Sequence, residues 1–503
     1  MEIEIELKFI FNEDFADNLY QTLNKWHCIS SKNQFLHNVY FDTAERNLRQ
    51  LDMGLRVRTI DEKSVQTIKT AGKVIGGLHQ RPEYNEPIEG SRPELARFNS
   101  KIWPEDSDIQ ALENALIPIF STDFNRQSWL IEIEEDTLVE VAYDVGFIET
   151  NQGKVPLCEV ELELVKGDEK QLFTLGKQIA QIPDVRLGNV SKAQRGYMLA
   201  DNATFPIKKL VHSPIDEKLS IKQALLVNLQ HGLKQLQYHE NCYIENKTRE
   251  TLQEFLQGIK FLHQNIILFK SELENFNKAP WIEDLHWLAR SFSWLDEYFT
   301  HARLLEDKGF YLRKSPKSKL LKATIKHQKQ LLPNDDAIIT ILKSSRYCQF
   351  VLTFTQWLIQ LEKSTFSGDK SNNIKAFSVN QLDKTWGQVS LALKNNDALT
   401  AEQFLSFQGL IESSLLTGLS LGNVFEKQKS DAFRALWLDI KQGLDEFSMI
   451  NIISEIAQDE TDSVLRQDYL KWIKRKEESL LSALHQSKQQ ALRKTLYWQE
   501  EQN

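Results

Sequence analysis

The chain has 503 residues, 61 lysines and arginines against 70 aspartates and glutamates, 41% hydrophobic and 26% charged residues, and a formal net charge of −9. That balance is typical of a folded globular protein of about two to four domains, and it excludes disordered, collagen-like and disulfide-scaffold chains. Nucleic-acid-binding domains are usually basic, so no nucleic-acid partner is expected; a locally basic pocket for a small anion is compatible with the composition.

Cys28, Cys158, Cys242 and Cys348 lack C-x-x-C spacing and read as reduced thiols rather than a zinc site. The N-terminus, Met1-Glu2-Ile3-Glu4-Ile5-Glu6, has neither the basic start nor the apolar stretch of a secretory signal. No apolar run approaches the ~18 residues of a spanning helix. The expectation is a soluble cytoplasmic protein with no membrane partner.

In chain order, the first part alternates with a period near two, the mark of half-buried strands. Ile3, Ile5, Leu7 and Phe9 take one parity, and Glu2, Glu4, Glu6 and Lys8 the other. Residues 54–60, 64–69, 128–133, 139–143 and 158–165 alternate likewise, with turn chemistry at Asp61-Glu62, Ala71-Gly72-Lys73, Gly76-Gly77 and Asn151-Gln152-Gly153. Only 13–25 and 169–182 read as helices. Many strands with few helices predict a closed antiparallel barrel.

Near Pro206 the period changes. Leu252, Phe255, Leu256 and Ile259 follow helical spacing, as do Leu465, Tyr469, Trp472 and Ile473; Trp281, Leu285, Leu288, Phe292 and Leu295 form one heptad-like stripe. The overall expectation is α+β: a closed antiparallel β-barrel with flanking helices over 1–205, then an all-α bundle over 206–503 with a subdomain break near 364–373.

The polar parity of the strands is charged, and acidic and basic strands are segregated. Glu4 and Glu6 precede Lys8; Arg56 and Arg58 share a strand; Lys69 ends the next; Arg81, Arg126 and Asp144 follow; the last long strand carries Glu159, Glu161 and Glu163, and Lys192 lies beyond it. On an open sheet this would be a solvated face with cross-strand pairs. In a barrel both parities cannot face water, so the charged parity lines the lumen. Carboxylates at i and i+2 suit hard divalent cations, and arginines and lysines opposite suit phosphate oxygens. A polyanionic phosphate with Mg²⁺ or Mn²⁺ would supply both counter-charges.

Glu4-Ile5-Glu6-Leu7-Lys8 is similar to the ExExK signature of the CYTH superfamily, the triphosphate tunnel metalloenzymes. The elements that follow keep that family's order: Arg56-x-Arg58, Lys69, the run from Gly76 to Tyr84, Arg126, Asp144, Glu159-x-Glu161, and Ser191-Lys192 with Arg195-Gly196-Tyr197. The run from Gly76 to Tyr84 and Phe120-Ser121-Thr122-Asp123-Phe124 resemble the bacterial inorganic triphosphatases, in which a helical CHAD domain follows the barrel. The resemblance implies metal-dependent hydrolysis of inorganic triphosphate to pyrophosphate and phosphate. Glu4, Glu6, Asp144, Glu159, Glu161 and Glu163 would hold Mg²⁺ or Mn²⁺. Lys8, Arg56, Arg58, Lys69, Arg81, Arg126 and Lys192 would bind phosphates, with Lys73 and Arg195 as further candidates.

Alternatives stay open: the same tunnel acting on nucleoside or thiamine triphosphates or RNA 5′ ends, ATP cyclisation, or a polyphosphate-binding scaffold working through the helical half. CHAD domains are associated with polyphosphate, and a basic stretch of Arg313, Lys314, Lys317, Lys319, Lys322, Lys326, His327 and Lys329 is a candidate surface. Against it, CHAD domains open with a His and several Arg at helical spacing, whereas 251–270 holds only His263.

Overall fold

The two-residue alternation of the first part is realised in one antiparallel sheet. Its strands are β1 (Glu2–Ile10), β2 (His27–Asp42), β3 (Gly54–Ile60), β4 (Lys63–Lys69), β5 (Lys73–Ile75), β6 (Leu78–Ile88), β7 (Ile117–Ile133), β8 (Thr137–Thr150), β9 (Gly153–Lys166) and β10 (Arg186–Leu187). They run in the order β10-β1-β9-β8-β7-β2-β3-β4-β6-β5, and β6 pairs back onto β1. The eight strands from β1 round to β6 therefore close into a barrel, with β5 and β10 attached outside the ring. The computed structural model describes residues 2–60, 63–134, 136–272, 276–306, 311–312, 314–365, 373–394 and 399–499. The chain divides into two units, Met1–Pro206 with Thr340–Trp357, and Ile207–Ile339 with Leu358–Asn503.

Closure decides which parity meets water. On β1, Leu7 and Phe9 are fully buried outside the barrel, and Gly176 lies against them, leaving no room for a Cβ beside Leu7. Gly176 lies on α4 (Lys170–Ile179), which follows α1 (Ala16–Leu23), α2 (Asn47–Gln50) and α3 (Ile109–Asn114) in the chain. On the opposite wall Leu55, Val57, Ile68 and Ile88 pack with Leu48, Leu95 and Phe98. Apolar residues thus point outward under helices and loops, and the charged parity points in. α5 (Lys192–Ala200) completes the unit: Ser191 caps it by accepting from the Gln194 amide at 3.1 Å, and Tyr197 donates to the buried Asp42 at 2.8 Å.

Several elements differ from the sequence expectation. The segment 128–133 is only the end of a seventeen-residue β7. β2 has no counterpart in the alternation, because its first seven residues, His27–Asn33, are exposed on both faces and carry no apolar period. The turn at Asp61-Glu62 lies outside the described residues.

In the second unit the capping box Ser220/Gln223 opens α6 (Ile221–Glu245). α7 (Arg249–Phe269) buries Leu252, Phe255, Leu256 and Ile259. The stripe from Trp281 to Leu295 is not one helix. It is divided between α8 (Ile282–Ser291) and α9 (Leu295–Glu306), and its five apolar residues are buried all the same. Then come α10 (Ser318–Leu331), α11 (Asp335–Leu342), α12 (Ser345–Thr365), α13 (Ile374–Lys394), α14 (Ala401–Ser406), α15 (Gln408–Leu421), α16 (Lys427–Asp459) and α17 (Ser463–Arg493). Of the break expected at 364–373, residues 366–372 lie outside the described residues. Among the described residues no helix is long and apolar enough to cross a membrane.

Leu7→Ala should cost about 2–5 kcal/mol of stability, because its pocket cannot collapse. Ile3→Ala, at a position 57% exposed on the same strand face, should change little. Urea unfolding midpoints of the two variants check the outward orientation of this parity.

Candidate active site

Strand register brings the charged residues together. Lys8 lies opposite Glu161, Glu6 opposite Glu163, Glu140 opposite Glu163, Asp144 opposite Glu159, and Arg126 opposite Asp144. On the other side Lys69 lies opposite Glu83, and Glu4 opposite Arg81. The result is a cavity of about 310 Å³ lined by Glu4, Glu6, Lys8, Arg56, Arg58, Lys69, Arg81, Arg126, Glu161, Glu163 and Lys192. Asp144 and Glu159 are fully buried, in contact with these cations. Lys73 and Arg195 are not among the lining residues, and Arg195 instead donates to Pro156 O at 2.6 Å.

The wall formed by β1, β7, β8, β9 and α5 holds an interlocked cluster. Lys8 Nζ reaches Glu159 at 3.1 Å and Glu161 at 2.6 Å. Lys192 Nζ contacts Asp144 at 2.8 Å, Glu161 at 3.0 Å, and Glu159. Arg126 grips Asp144 through two bonds of 2.7 Å and Glu161 through one of 2.8 Å. Three cations thus neutralise three carboxylates, as burial demands. Burial alone would raise the Asp144 and Glu161 carboxyls, but Lys192 with Arg126, and for Glu161 also Lys8, holds both below the usual range. Lys192 opens α5, where a cation opposes the helix dipole; the carboxylates offset that cost.

Elsewhere the charges do not cancel. Glu163 is pushed up to about 7 by burial and then by Glu4 and Glu6, and Glu4 is also raised, first by burial. Glu6 has its nearest cation, Lys8, only at 4.0 Å. These carboxylates form a pole of surplus negative charge. Arg58 is the counterpart, lowered to about 9 by burial and then by Arg56 and Arg126. Its Nε donates to Asn38 at 2.7 Å, a neutral partner. Between the poles Lys69 pairs with Glu4 and, at 3.0 Å, with Glu83. Burial works against the Glu83 charge, yet Lys69 and Arg56 hold its carboxyl at about 2.

Among the described residues one acidic set has its oxygens converged as a hard cation needs. Asp144, Glu159 and Glu161 each offer an oxygen within 4.8 Å of the others, and Glu159 Oε2 is buried with no hydrogen-bond partner. Glu4, Glu6 and Glu163 offer oxygens with too few cations near them. The set of Asp144, Glu159 and Glu161 is all-oxygen, the chemistry of Mg²⁺-type ions.

Glu83, Glu140, His79 and Asn38 belong to the site without having been singled out as such. Glu83 shares the parity of Arg81, and Glu140 that of Asp144, so both were legible by counting in twos. His79 is buried against Gly188 O at 2.8 Å. Arg81 lines the cavity at its rim, tied to Thr70 O at 2.9 Å and Asp52 O at 3.1 Å.

The helical unit has its own cavity, about 1390 Å³, lined by acids and bases alike. Lys260 binds Asp296 and Glu412, Arg303 binds Asp445, and Lys441 binds Asp445. Lys314, Lys317, Lys319, Lys326 and His327 of the basic stretch are exposed, while Arg313 lies outside the described residues. His263 lies beside His286, ring centroids 5.3 Å apart and planes tilted by 60°.

Glu159→Ala leaves three buried cations, Lys8, Lys192 and Arg126, to share two carboxylates, Asp144 and Glu161, and should cost about 3–5 kcal/mol. Glu6→Ala should cost far less, because it strands no cation; urea unfolding of both checks the asymmetry. Raised from an ordinary 4.5 to about 7, Glu163 makes the folded state bind more protons than the unfolded one between those values, so its ionisation destabilises the fold as pH rises. In metal-depleted protein, Glu163→Gln should leave the unfolding midpoint unchanged below pH 4.5 and raise it by an amount that grows until about pH 7; a pH-independent effect would contradict the cause given for the shift.

Residues 2–197 match the CYTH domain family and residues 228–448 the CHAD domain family. The inorganic triphosphatase of Haemophilus influenzae is 40% identical over 197 residues, 39% of this chain and 54% of that protein, so the chain spans about half the length of this curated relative. Among solved structures, a Hippeastrum protein described as an adenylyl cyclase candidate with a dominant triphosphatase activity is 19% identical. It covers 40% of this chain and 98% of its own, with a TM-score of 0.30. The CHAD domain of Ricinus communis is 16% identical, covering 57% of this chain and 96% of its own, with a TM-score of 0.44. The chain carries a CYTH domain, the charged barrel, followed by a helical CHAD domain.

Proposed function

We propose that the barrel hydrolyses inorganic triphosphate to pyrophosphate and phosphate with Mg²⁺ or Mn²⁺. The observation that carries this reading is one cavity lined at two poles by groups of opposite sign, Arg56, Arg58 and Arg126 at one and Glu4, Glu6 and Glu163 at the other; burial and like neighbours lower Arg58 to about 9 and raise Glu163 to about 7. A ligand that brings a phosphate anion to the first pole and a divalent cation to the second relieves both. The likeness of the barrel to an inorganic triphosphatase supports the same substrate.

Charge balance favours joint binding. Seven lining cations, from Lys8 to Lys192, face six lining carboxylates plus Asp144 and Glu159, leaving one negative charge in excess. A triphosphate brings roughly four further negative charges near neutral pH. Alone it would be repelled; about two divalent cations restore the balance. Glu4, Glu6 and Glu163, and Asp144, Glu159 and Glu161, are the residues that would hold them. Bound there, a divalent cation supplies charge neutralisation and polarises phosphoryl oxygens.

The chain's own residues do the rest. Arg56, Arg58 and Arg126 present forked donors to the anion, and Lys69, Lys8 and Lys192 act as point charges. As phosphate oxygens take these cations, the carboxylates they leave are released to the metal side. Water attacks the terminal phosphorus; its new P–O bond forms as the bridging P–O bond breaks, with pyrophosphate leaving and a proton released. The strands hold the donors in fixed register, which favours in-line geometry and stabilises charge in the transition state.

Phosphate release from triphosphate, ATP and longer polyphosphate by the full-length chain, with and without Mg²⁺ and Mn²⁺, tests the reading. Metal-dependent release from triphosphate well above the others is expected; preference for ATP would move the activity to nucleotides. Glu6→Ala should abolish metal-dependent turnover while the protein stays folded. Arg58→Ala should raise KM for triphosphate about 10-fold or more, the worth of a charge-assisted bond, without lowering the unfolding midpoint, since it removes a repelled cation. Unchanged kinetics in that variant would rule out the basic pole as the anion site.

A further inference from the structure

The segment Thr340–Trp357 belongs to the first unit although the barrel ends long before it in sequence. It supplies the end of α11 and the first part of α12. Lys343 pairs with Asp184 at 2.9 Å, and Ser345 Oγ donates to Ala180 O at 2.8 Å. Lys177 Nζ donates to Gln356 Oε1 at 2.8 Å, and Leu352 packs on Gly176 of α4. The segment is therefore built onto the barrel's outer layer at several points.

One of these points touches the tunnel motif. Thr355 is fully buried, and its Oγ1 lies 3.4 Å from Gly76 O across 279 residues of sequence. The hydroxyl has one proton, and Val351 O, at 2.8 Å, takes it. The approach to Gly76 is therefore mainly steric. A Cβ on Gly76 would stand 1.6 Å from Thr355 Oγ1, and Gly76 has a φ of +57°. Only glycine fits beneath that side chain in that conformation.

The turn leads directly to Lys8. Lys8 N donates to Gly77 O at 2.9 Å, and Lys8 O accepts from Gly188 N at 2.9 Å. Gly77 N donates to Asn189 Oδ1 at 2.6 Å, and His79 bonds Gly188 O at 2.8 Å. Both backbone groups of Lys8 are thus held by the Gly76-Gly77 turn and by Gly188, just beyond β10, and the Lys8 side chain ends among Glu159 and Glu161.

We infer that Thr355 is a positioning residue for the tunnel: by seating the Gly76-Gly77 turn it fixes the backbone of Lys8, and through it the cation that partners Glu159 and Glu161. The inference deepens the triphosphatase reading and rests on it for its kinetic consequence. A displacement of about 1 Å at such a group can cost about 100-fold in rate, so packing at Thr355 has a catalytic effect without touching substrate.

The test uses the full-length chain. Thr355→Leu overfills the contact and should lower kcat for triphosphate about 10-fold or more, with KM changed less than about threefold. Thr355→Ser keeps the Oγ against Gly76 and should restore parent rates. A Thr355→Leu variant that is folded and has parent kcat and KM overturns the inference. Should Thr355→Leu fail to fold, Thr355→Ala decides by hydrogen exchange. Faster exchange in the peptides covering β1 and 76–80, with the β7–β8 peptides unchanged, supports the inference, and unaltered exchange there overturns it. A parent protein that releases no phosphate from triphosphate would sink the functional reading alone, because the exchange measurement does not depend on turnover.

Discussion

A sheet that closes around a charged parity must neutralise that parity from within. This constraint organises the first unit. Lys8, Lys192 and Arg126 are locked onto Asp144, Glu159 and Glu161 because water cannot reach most of them, and a buried charge left without a partner is among the costliest defects a fold can carry. The outward parity is apolar for the same reason in reverse. Once the lumen is occupied by charge, the hydrophobic core has to form outside the ring, under α4 and against residues such as Leu95 and Phe98.

Neutralisation is complete on one wall and incomplete at two places. Burial and then Glu4 and Glu6 raise the Glu163 carboxyl, and burial and then Arg56 and Arg126 lower Arg58. Strands are a suitable frame for such stress. Their side chains project at fixed intervals from a backbone whose hydrogen bonds are all made with neighbours, so like charges cannot relax apart as they would on loops. In the proposed function a phosphate chain with divalent cations brings charge of both signs to these two places.

The helical unit follows the opposite logic. Its cavity is larger, and its lining cations Lys260, Arg303 and Lys441 already have carboxylate partners, while Arg434, lowered to about 10 by burial, donates to Leu415 O at 2.7 Å. The exposed lysines of α10 are solvated side chains on the polar face of a helix whose Leu321 and Ile325 are buried. The two units therefore differ in density of charge: the barrel gathers seven cations around about 310 Å³, whereas the helical cavity spreads its mostly paired charges over about 1390 Å³.

Much of this was legible in the sequence because alternation in twos is a local property. Glu4, Glu6 and Lys8 on one parity, with Leu7 and Phe9 on the other, announced a strand with a charged face; the clustering of Arg56 with Arg58 and of Glu159 with Glu161 announced a site. β2 was not legible, since its exposed half has no apolar face to keep. The division of the stripe at Phe292 was not legible either, because residues buried on both sides of a helix break keep the same spacing. By itself the sequence determined the parity of the charges, the change from strand to helix near Pro206 and the composition of each wall, all of which are set by neighbours along the chain. Only the tertiary structure decided which carboxylate meets which cation, and that Thr355 rests on Gly76. Those pairings depend on strand register and on the closure of the ring, which bring together residues that no local pattern connects.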